Sequence, residues 1–267
     1  MKQIFIFIYS LFIPLLSLTA QTYAEIKTNV GTIKIQLYDD IPNHSRTFKN
    51  RAKQGLFNGT LFTRIIPGFM IQGGAPDSKN APAGARIGHG DRNAEIMPEY
   101  GGSYFHKKGA LAAPRQDISI NPKKKSDMSQ FFIVQGKVYR PGELDTLELA
   151  KNQKARKKGL QEFYYPIKHE MDSLKTVDKK EFNRRVIEIN TKIDSVVRAT
   201  PGHLIFTPEQ REAYTTVGGS PHLDGEYIIF GQMTEGFDIL DNIARQPKDA
   251  YDRPKKDIRI INIQIIE

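Results

Sequence analysis

Two polar residues, Arg64 and Gln72, interrupt the otherwise apolar stretch 61–74, and their types and spacing suit hydrogen bonding beside an apolar surface. A guanidinium is always charged and is rarely buried unless it is paired. Pro67-Gly68 between them is a turn signal, which favours strand, turn and strand over one helix. The fold-back predicts Arg64 near Gln72, in a dimple for an uncharged, partly apolar ligand. A β-hairpin whose arginine only stacks on a phenylalanine fits the composition equally well.

Other kinds of catalytic site find little support in the residue types. The chain has no Cys, which excludes thiolate chemistry and disulfides, and its six His are scattered. Gln72-Gly73-Gly74 lacks the Lys and Ser/Thr of a phosphate-binding loop. His89-Gly90-Asp91 offers two metal ligands where a metal site needs three or four, and it is more typical of a turn. The sequence therefore predicts no metal site and no cofactor.

The elements around this stretch are mostly short strands. Residues 23–27 and 32–38 alternate apolar and polar side chains, which is the period of half-buried strands, and Asn29-Val30-Gly31 supplies their turn. Pro42–Gln54 and Glu235–Arg245 are predicted helices. Apolar residues from Ile258 to Ile265 indicate a closing C-terminal strand.

Four segments in this order resemble the signature of the cyclophilins, which are peptidyl-prolyl isomerases built on a β-barrel. They are 61–74, Gly109–Ala113, Ser129–Ile133, and Leu223–Gly225 followed by Tyr227–Gly231. The resemblance covers roughly 23–135 and 217–267. It implies a mainly β fold: a closed eight-stranded antiparallel barrel capped by two helices.

The resemblance also implies residue roles. Arg64 would direct a donor at the prolyl nitrogen, and Gln72 would hold the substrate backbone. The implied substrate-binding residues are Phe69, Met70, Ala112, Ala113, Gln130, Phe132, His222, Leu223 and Tyr227. Three of these depart from the family's frequent residues: His222 replaces Trp or Phe, Tyr227 replaces His, and Ala113 replaces Asn. The change at His222 bears on cyclosporin binding more than on catalysis.

Residues 136–216 interrupt the barrel pattern, and we expect an antiparallel α-helical arm inserted into a barrel domain of 21–135 and 217–267. Asp145 with Glu148, and Asp178 with Glu181, have the spacing of capping boxes at helix starts. Apolar residues then recur at helical spacing on both sides of Pro166.

The arm is basic, because residues 151–198 contain 13 Lys and Arg against 7 Asp and Glu, whereas the whole chain carries +9. Such a surface is suited to an acidic partner or a membrane surface, and a solvated helical face is the simpler interpretation. Nucleic acid is not an expected partner, since no aromatic-rich or Arg-rich motif accompanies the charge.

The N-terminus has the pattern of a signal peptide, with Lys2, an apolar run from Ile4 to Leu18 and a predicted cut after Ala20. The run of fifteen residues is short of the about 20 that span a membrane, although an uncleaved anchor is the alternative. We therefore expect residues 1–20 to be removed, leaving an exported, periplasmic protein without an integral membrane anchor.

The predicted function is isomerisation of Xaa-Pro bonds in exported proteins, which assists their folding, with proline-containing peptide segments as partners. The alternative is a chaperone or scaffold that binds client proteins through the basic helical insertion and has little isomerase activity.

Overall fold

A computed structural model describes residues 21–267, and the predicted signal peptide, 1–20, lies outside the described residues. The strands are β1 Tyr23–Thr28, β2 Gly31–Leu37, β3 Phe62–Ile66, β4 Met70–Gly73, β5 Glu95–Ile96, β6 Ala110–Ala113, β7 Ser126–Asp127, β8 Phe131–Val134, β9 Ile228–Glu235 and β10 Ile260–Ile266. The helices are α1 Pro42–Lys53, α2 Pro141–Phe163, α3 Lys168–Val177, α4 Lys179–Ala199, α5 Pro208–Thr216 and α6 Phe237–Ala244.

Eight of the strands form one curled antiparallel sheet in the order β10-β1-β2-β9-β6-β8-β4-β3, which confirms the mainly β prediction. The two edges approach each other where β3 and β10 begin. There Phe62 N donates to Ile258 O at 2.9 Å, and Ile260 N donates to Thr60 O at 2.8 Å. These bonds and one bridge join the edges, rather than a ladder between β3 and β10 themselves.

The alternation of side chains along each strand separates a core face from a second face. On β8, Phe131 belongs to the main core, whereas Phe132 belongs to a smaller cluster on the other side of the sheet. On β4, Ile71 faces the core and its neighbour Met70 joins Phe132. The second face is therefore the one that can hold a surface site.

Two helices pack against the sheet, as predicted. Phe48 of α1 is fully buried and packs with Phe131 and Phe230, with ring centroids 5.6 and 5.4 Å apart. Leu240 of α6 is also fully buried in this core. Helix α6 begins at Phe237 because Gly236 stands before it in a left-handed conformation, at φ 88°.

The helices of 141–216 confirm one predicted start and correct the other. Asp178 caps α4, since its Oδ1 accepts the N–H groups of Lys180 and Glu181, both at 3.0 Å. The predicted capping box at Asp145 is wrong: α2 begins four residues earlier, at Pro141. Proline suits the first helical turn, and Glu143 already accepts the Arg140 N–H at 2.7 Å, so the cap forms there.

Helices α2 and α4 run antiparallel, and Gly159 is where their backbones approach closely. A Cβ on Gly159 would lie 3.2 Å from Ile193 Cα. One turn away, Arg156 pairs with Asp194 at 3.2 Å. At the other end of these helices, a separate aromatic cluster joins Leu144, Phe206 and Tyr214 to Phe105, which precedes β6. None of the helices in 21–267 combines the length and apolar character needed to cross a membrane.

Candidate active site

The hairpin of β3 and β4 positions the two polar residues of the apolar stretch. Arg64 and Gln72 are Cα partners across the antiparallel pair, as predicted. The turn between them contains Gly68 at φ 74°, a left-handed conformation that glycine adopts without strain. Gly68 N donates to Gln135 Oε1 at 2.7 Å, which ties the turn to the end of β8.

A cavity of about 150 Å³ opens beside this hairpin on the second face of the sheet. Its predicted lining residues are eight: Arg64, Phe69, Met70, Gln72, Gln130, Phe132, Leu223 and Tyr227. Met70, Phe132 and Leu223 are nearly fully buried and form its apolar floor. Tyr227 stands edge-on to the Phe132 ring, with centroids 5.8 Å apart.

Three other predicted site residues lie outside the cavity lining. Ala112 is fully buried beneath the floor, in the cluster that contains Met70 and Phe132. Ala113 faces the main core. His222 lies at the surface and packs one side of its ring against Phe69, with ring centroids 5.2 Å apart. The resulting partial burial of the ring lowers the pKa of His222. At neutral pH this ring is therefore mainly uncharged.

A chain of side-chain hydrogen bonds holds Gln72. Its Nε2 donates to Gln130 Oε1 at 2.8 Å, and Gln130 Nε2 donates to Asp127 Oδ2 at 2.9 Å. Asp127 and Gln130 are both buried. Gly90 packs against this pair so closely that a Cβ would fall 1.9 Å from Asp127 Oδ2. The amide of Gln72 is thus oriented by a buried carboxylate two side chains away.

Arg64 is the accessible cation of the site. Its side chain is 45% exposed, and its nearest charged partner is Asp252, with Arg64 Nε and Asp252 Oδ2 3.6 Å apart. An ion pair at this separation and exposure is weak, so the guanidinium keeps N–H groups available for a ligand.

Sequence reasoning missed Pro114, Arg115, Gln116, Asp127 and Gly88, which also line the cavity. The Arg115 guanidinium lies 4.7 Å above the Tyr227 ring and donates to Glu226 O at 3.1 Å. Its side chain is only 9% exposed and pairs with Glu226 Oε2 at 3.1 Å. An arginine two residues after the small-residue strand was the available signal, since an arginine is rarely buried without a role.

Charge around Glu226 favours its ionised form. The hydrogen bond from Lys124, at 2.8 Å, and the nearby Arg115 together hold the pKa of the Glu226 carboxyl below its usual value. The cluster of Arg115, Lys124 and Glu226 therefore keeps one excess positive charge at the rim of the cavity.

In residues 21–267 no group of three or more His, Asp or Glu side chains is placed to share a metal ion. The cavity has an apolar floor, and hydrogen-bond donors of Arg64, Gln72 and Arg115 lie at its rim. Such a surface can hold a small apolar ring whose neighbouring carbonyl groups need hydrogen-bond donors. The fold and the site together define a small cavity with an apolar floor and hydrogen-bond donors at its rim, on one face of a curled β-sheet.

Sequence comparison gives the family. Residues 23–150 and 150–265 match the family described as "Cyclophilin type peptidyl-prolyl cis-trans isomerase/CLD". A peptidyl-prolyl cis-trans isomerase of Acinetobacter baylyi is 35% identical over 251 residues, covering 92% of this chain and 86% of that protein. The chain belongs to the cyclophilin-type peptidyl-prolyl cis-trans isomerases, and isomerase activity is what this membership supports.

More distant proteins agree with this placement. A Streptococcus pyogenes protein, named as a bifunctional phosphatase/peptidyl-prolyl cis-trans isomerase, is 27% identical over 245 residues, and the chain spans only 38% of its length. A solved cyclophilin type isomerase of Cryptosporidium parvum shares the fold, with a TM-score of 0.53 at 18% identity, over 93% of this chain and 99% of that one. The same protein, crystallised in the presence of the dipeptide Ala-Pro, gives a TM-score of 0.52.

Proposed function

We propose that the cavity binds the proline of an Xaa-Pro segment and that Arg64 promotes rotation about the preceding amide. Rotation must cross roughly 18–20 kcal/mol, although the trans form is favoured by only about 0.5–1 kcal/mol. The barrier comes from amide resonance, so catalysis requires tighter binding of the twisted amide than of either planar form. The observation that carries this proposal is the apolar floor next to an accessible guanidinium.

Arg64 supplies the interaction that strengthens on twisting. As the amide leaves planarity, the lone pair returns to the prolyl nitrogen, which then accepts a hydrogen bond. A guanidinium is a rigid donor that stays charged at all working pH values. The partial exposure of Arg64 and its loose contact with Asp252 leave N–H groups for this purpose.

The other lining residues bind and orient the peptide. Phe69, Met70, Phe132 and Leu223 bury the proline ring, a gain of about 0.8 kcal/mol per methylene. Gln72 holds the backbone next to the rotating bond, with its amide fixed through Gln130. We assign Ala112, Ala113 and His222 supporting roles, beneath and beside this surface.

We also propose that the sheet closes into a barrel through the bonds that join its edges. Residues 136–216 are then a helical arm inserted between two barrel strands. Lys151, Lys154, Lys157 and Lys158 of α2 are exposed and make no ion pair within 21–267, which supports an acidic partner for this arm. The N-terminal pattern supports export, with folding of exported proteins as the biological role.

The test of the isomerase site is NMR exchange between the cis and trans forms of a short Xaa-Pro peptide. We expect the chain to accelerate exchange and Arg64→Ala to remove most of that acceleration. Arg198→Ala, at an exposed position on α4 outside the cavity, is the matched control and should exchange like the parent. Absence of exchange in the folded parent chain would refute the proposal.

Export has a separate test. The mass of the protein recovered from the periplasm after expression with its full N-terminus should correspond to a chain that begins at Gln21. A full-length mass in the membrane fraction would show instead that 1–20 remains as an anchor.

A further inference from the structure

A tyrosine of the helical segment holds the loop that supplies Leu223 and Tyr227 to the cavity. Tyr214, in α5, donates its hydroxyl to Asp224 Oδ2 at 2.5 Å. Asp224 Oδ1 accepts the backbone N–H of His106 at 2.8 Å and lies 2.9 Å from His106 Nδ1. One carboxylate therefore joins α5, the cavity loop and the segment before β6.

The carboxylate of Asp224 and both of its side-chain partners are largely buried. The side chains of Tyr214 and His106 are fully buried, and that of Asp224 is 11% exposed. Burial first, and then the charge of Asp224, raise the pKa of the Tyr214 hydroxyl, so it stays a donor. Hydrogen bonds to a charged acceptor are stronger than neutral ones, and losing one leaves the buried carboxylate short of a partner.

The contacts continue from Asp224 to the floor of the cavity. The His106 ring is nearly parallel to the Phe132 ring, with an interplanar angle of 6° and centroids 6.2 Å apart. Ser220 N donates to His106 O at 2.8 Å, and Leu223 N donates back to Ser220 O at 3.0 Å. Both the loop that carries Leu223 and the support behind Phe132 therefore depend on the position of Asp224.

We infer that Tyr214 is a positioning residue for the isomerase, acting through Asp224 to set where Leu223 and Tyr227 face the substrate. The inference rests on the proposed function of the cavity. Tyr214 lies in α5, outside the strands of the sheet, and is not itself part of the cavity lining. A helix that does not line the cavity thus supports the loop that does.

The experiment compares Tyr214→Phe with Tyr139→Phe. Tyr139 packs in the same aromatic cluster, with its ring centroid 6.3 Å from that of Tyr214, and its hydroxyl does not contact Asp224. Each substitution removes one hydroxyl and keeps the ring. We expect Tyr214→Phe to raise KM for an Xaa-Pro peptide about three- to tenfold, the scale of one ordinary hydrogen bond. Tyr139→Phe should leave KM unchanged.

The division between KM and kcat separates positioning from mere stability. If Tyr214 only stabilised the fold, its loss would reduce the amount of active enzyme, so kcat would fall and KM would stay the same. An unchanged KM in Tyr214→Phe overturns the inference. If that variant does not fold, Asp224→Asn takes its place, with the same rise in KM expected and an unchanged KM again decisive.

Measuring peptide affinity tests the positioning role of Tyr214 independently of isomerase activity. The dissociation constant of an Ala-Pro peptide, followed by the methyl signals of Leu223, should rise in Tyr214→Phe by the same factor as KM. A parent chain without isomerase activity would refute the proposed function. Equal peptide affinities in Tyr214→Phe and Tyr139→Phe would refute the positioning role, whether or not the parent is active.

Discussion

Asp252 Oδ2 lies 3.6 Å from Arg64 Nε, while the other oxygen of the same carboxylate lies 2.7 Å from Lys248 Nζ. Ile65 N donates to Asp252 O at 2.8 Å, so the backbone of this loop is fixed to β3. Asp252 has φ 65°, a left-handed conformation that Asp and Asn adopt more readily than most residues. A loop distant in sequence thus holds a carboxylate beside Arg64, the residue proposed to promote rotation.

Asp252→Asn should lower kcat for Xaa-Pro exchange, by at most about fivefold. Asparagine retains the backbone conformation and removes the charge that orients Arg64. Exposed ion pairs contribute up to about 1 kcal/mol, which corresponds to about a fivefold change in rate. NMR exchange spectroscopy at saturating peptide measures the effect.

Lys248→Ala is the control for that prediction, because it removes the other partner of Asp252 and leaves the contact with Arg64 in place. Its kcat should match the parent. If both variants lose activity equally, the loop as a whole matters rather than the pairing of Asp252 with Arg64.

Asp127→Asn should weaken peptide binding and lower the melting temperature together. The substitution replaces an acceptor oxygen with a donor where Gln130 and Ser129 both donate. Leaving a buried donor without a partner costs about 1–3 kcal/mol, and the Gln72 amide loses its fixed orientation. Peptide titration and thermal unfolding measure the two effects.

Asp91→Asn is the matched variant from the neighbouring loop. Among residues 21–267 the Asp91 carboxylate accepts only the Asn93 N–H, at 2.9 Å, in a nearby turn. It should change neither measurement appreciably. If Asp127→Asn bound the peptide as tightly as the parent, the hydrogen bonds from Asp127 through Gln130 would not determine the orientation of the Gln72 amide.

Stability should decrease as the pH falls from about 7 to about 4, because of His44 and Glu99. Burial lowers the pKa of the His44 ring. Partial burial opposes ionisation of Glu99, yet bonds from His44 and Asn43 outweigh it and hold the pKa of this carboxyl below its usual value. Both groups therefore bind protons more readily in the unfolded chain, so protonation favours unfolding.

His44 and Glu99 contribute to stability over different pH ranges. The contribution of His44 is present above its ordinary pKa of 6.5 and is lost below it, whereas that of Glu99 is present above 4.5 and is lost below that value. Glu99→Gln should flatten the acid part of a plot of melting temperature against pH and lower stability at neutral pH. Glu209→Gln, at an exposed site without an ion pair in the described chain, should leave the plot unchanged.

Removing the outer part of the helical segment should preserve isomerase activity. Gly159 and Ile193 face each other across α2 and α4, so residues 160–192 can be replaced by a short Gly-Ser turn. The cluster of Leu144, Phe206 and Tyr214 stays in place and continues to support the cavity loop. Peptide exchange and protection of an aggregating client protein are the two measurements.

The two measurements distinguish the possible roles of the arm. Retained exchange with lost client protection would assign client binding to 160–192. Lost exchange in a folded variant would contradict the expectation and extend the catalytic dependence beyond Tyr214. Leu144→Ala provides the comparison, since truncating a fully buried leucine at the base costs about 2–5 kcal/mol.

Local sequence pattern was sufficient to predict much of the candidate site. Pro67-Gly68 marks a two-stranded fold-back, and antiparallel pairing then places Arg64 opposite Gln72. Strand alternation separates Phe131 from Phe132, so the residue that reaches the cavity could be recognised before any coordinates. These features depend only on residues close in sequence, whose geometry the backbone dictates.

The error at Asp145 has the same origin. Both Arg140-Pro141 and Asp145 offer acceptable helix starts, although Pro141 and the bond from Arg140 N to Glu143 favour the earlier one. The earlier start prevails because it extends α2 so that Leu144 enters the cluster with Phe206 and Tyr214. Burial against Phe206 and Tyr214, which are far from Leu144 in sequence, adds to the local cap in fixing this boundary.

The sequence by itself determined the family, the mainly β fold, the helical character of 141–216 and eight residues of the cavity. Only the tertiary structure brought Asp252 to Arg64, Asp127 to Gln72 through Gln130, and Tyr214 to Asp224. Apart from the short link between Asp127 and Gln130, these contacts join segments whose separation no repeat or period encodes. They form because polar groups that packing buries must be hydrogen-bonded or paired. Which group lies within reach depends on the whole fold.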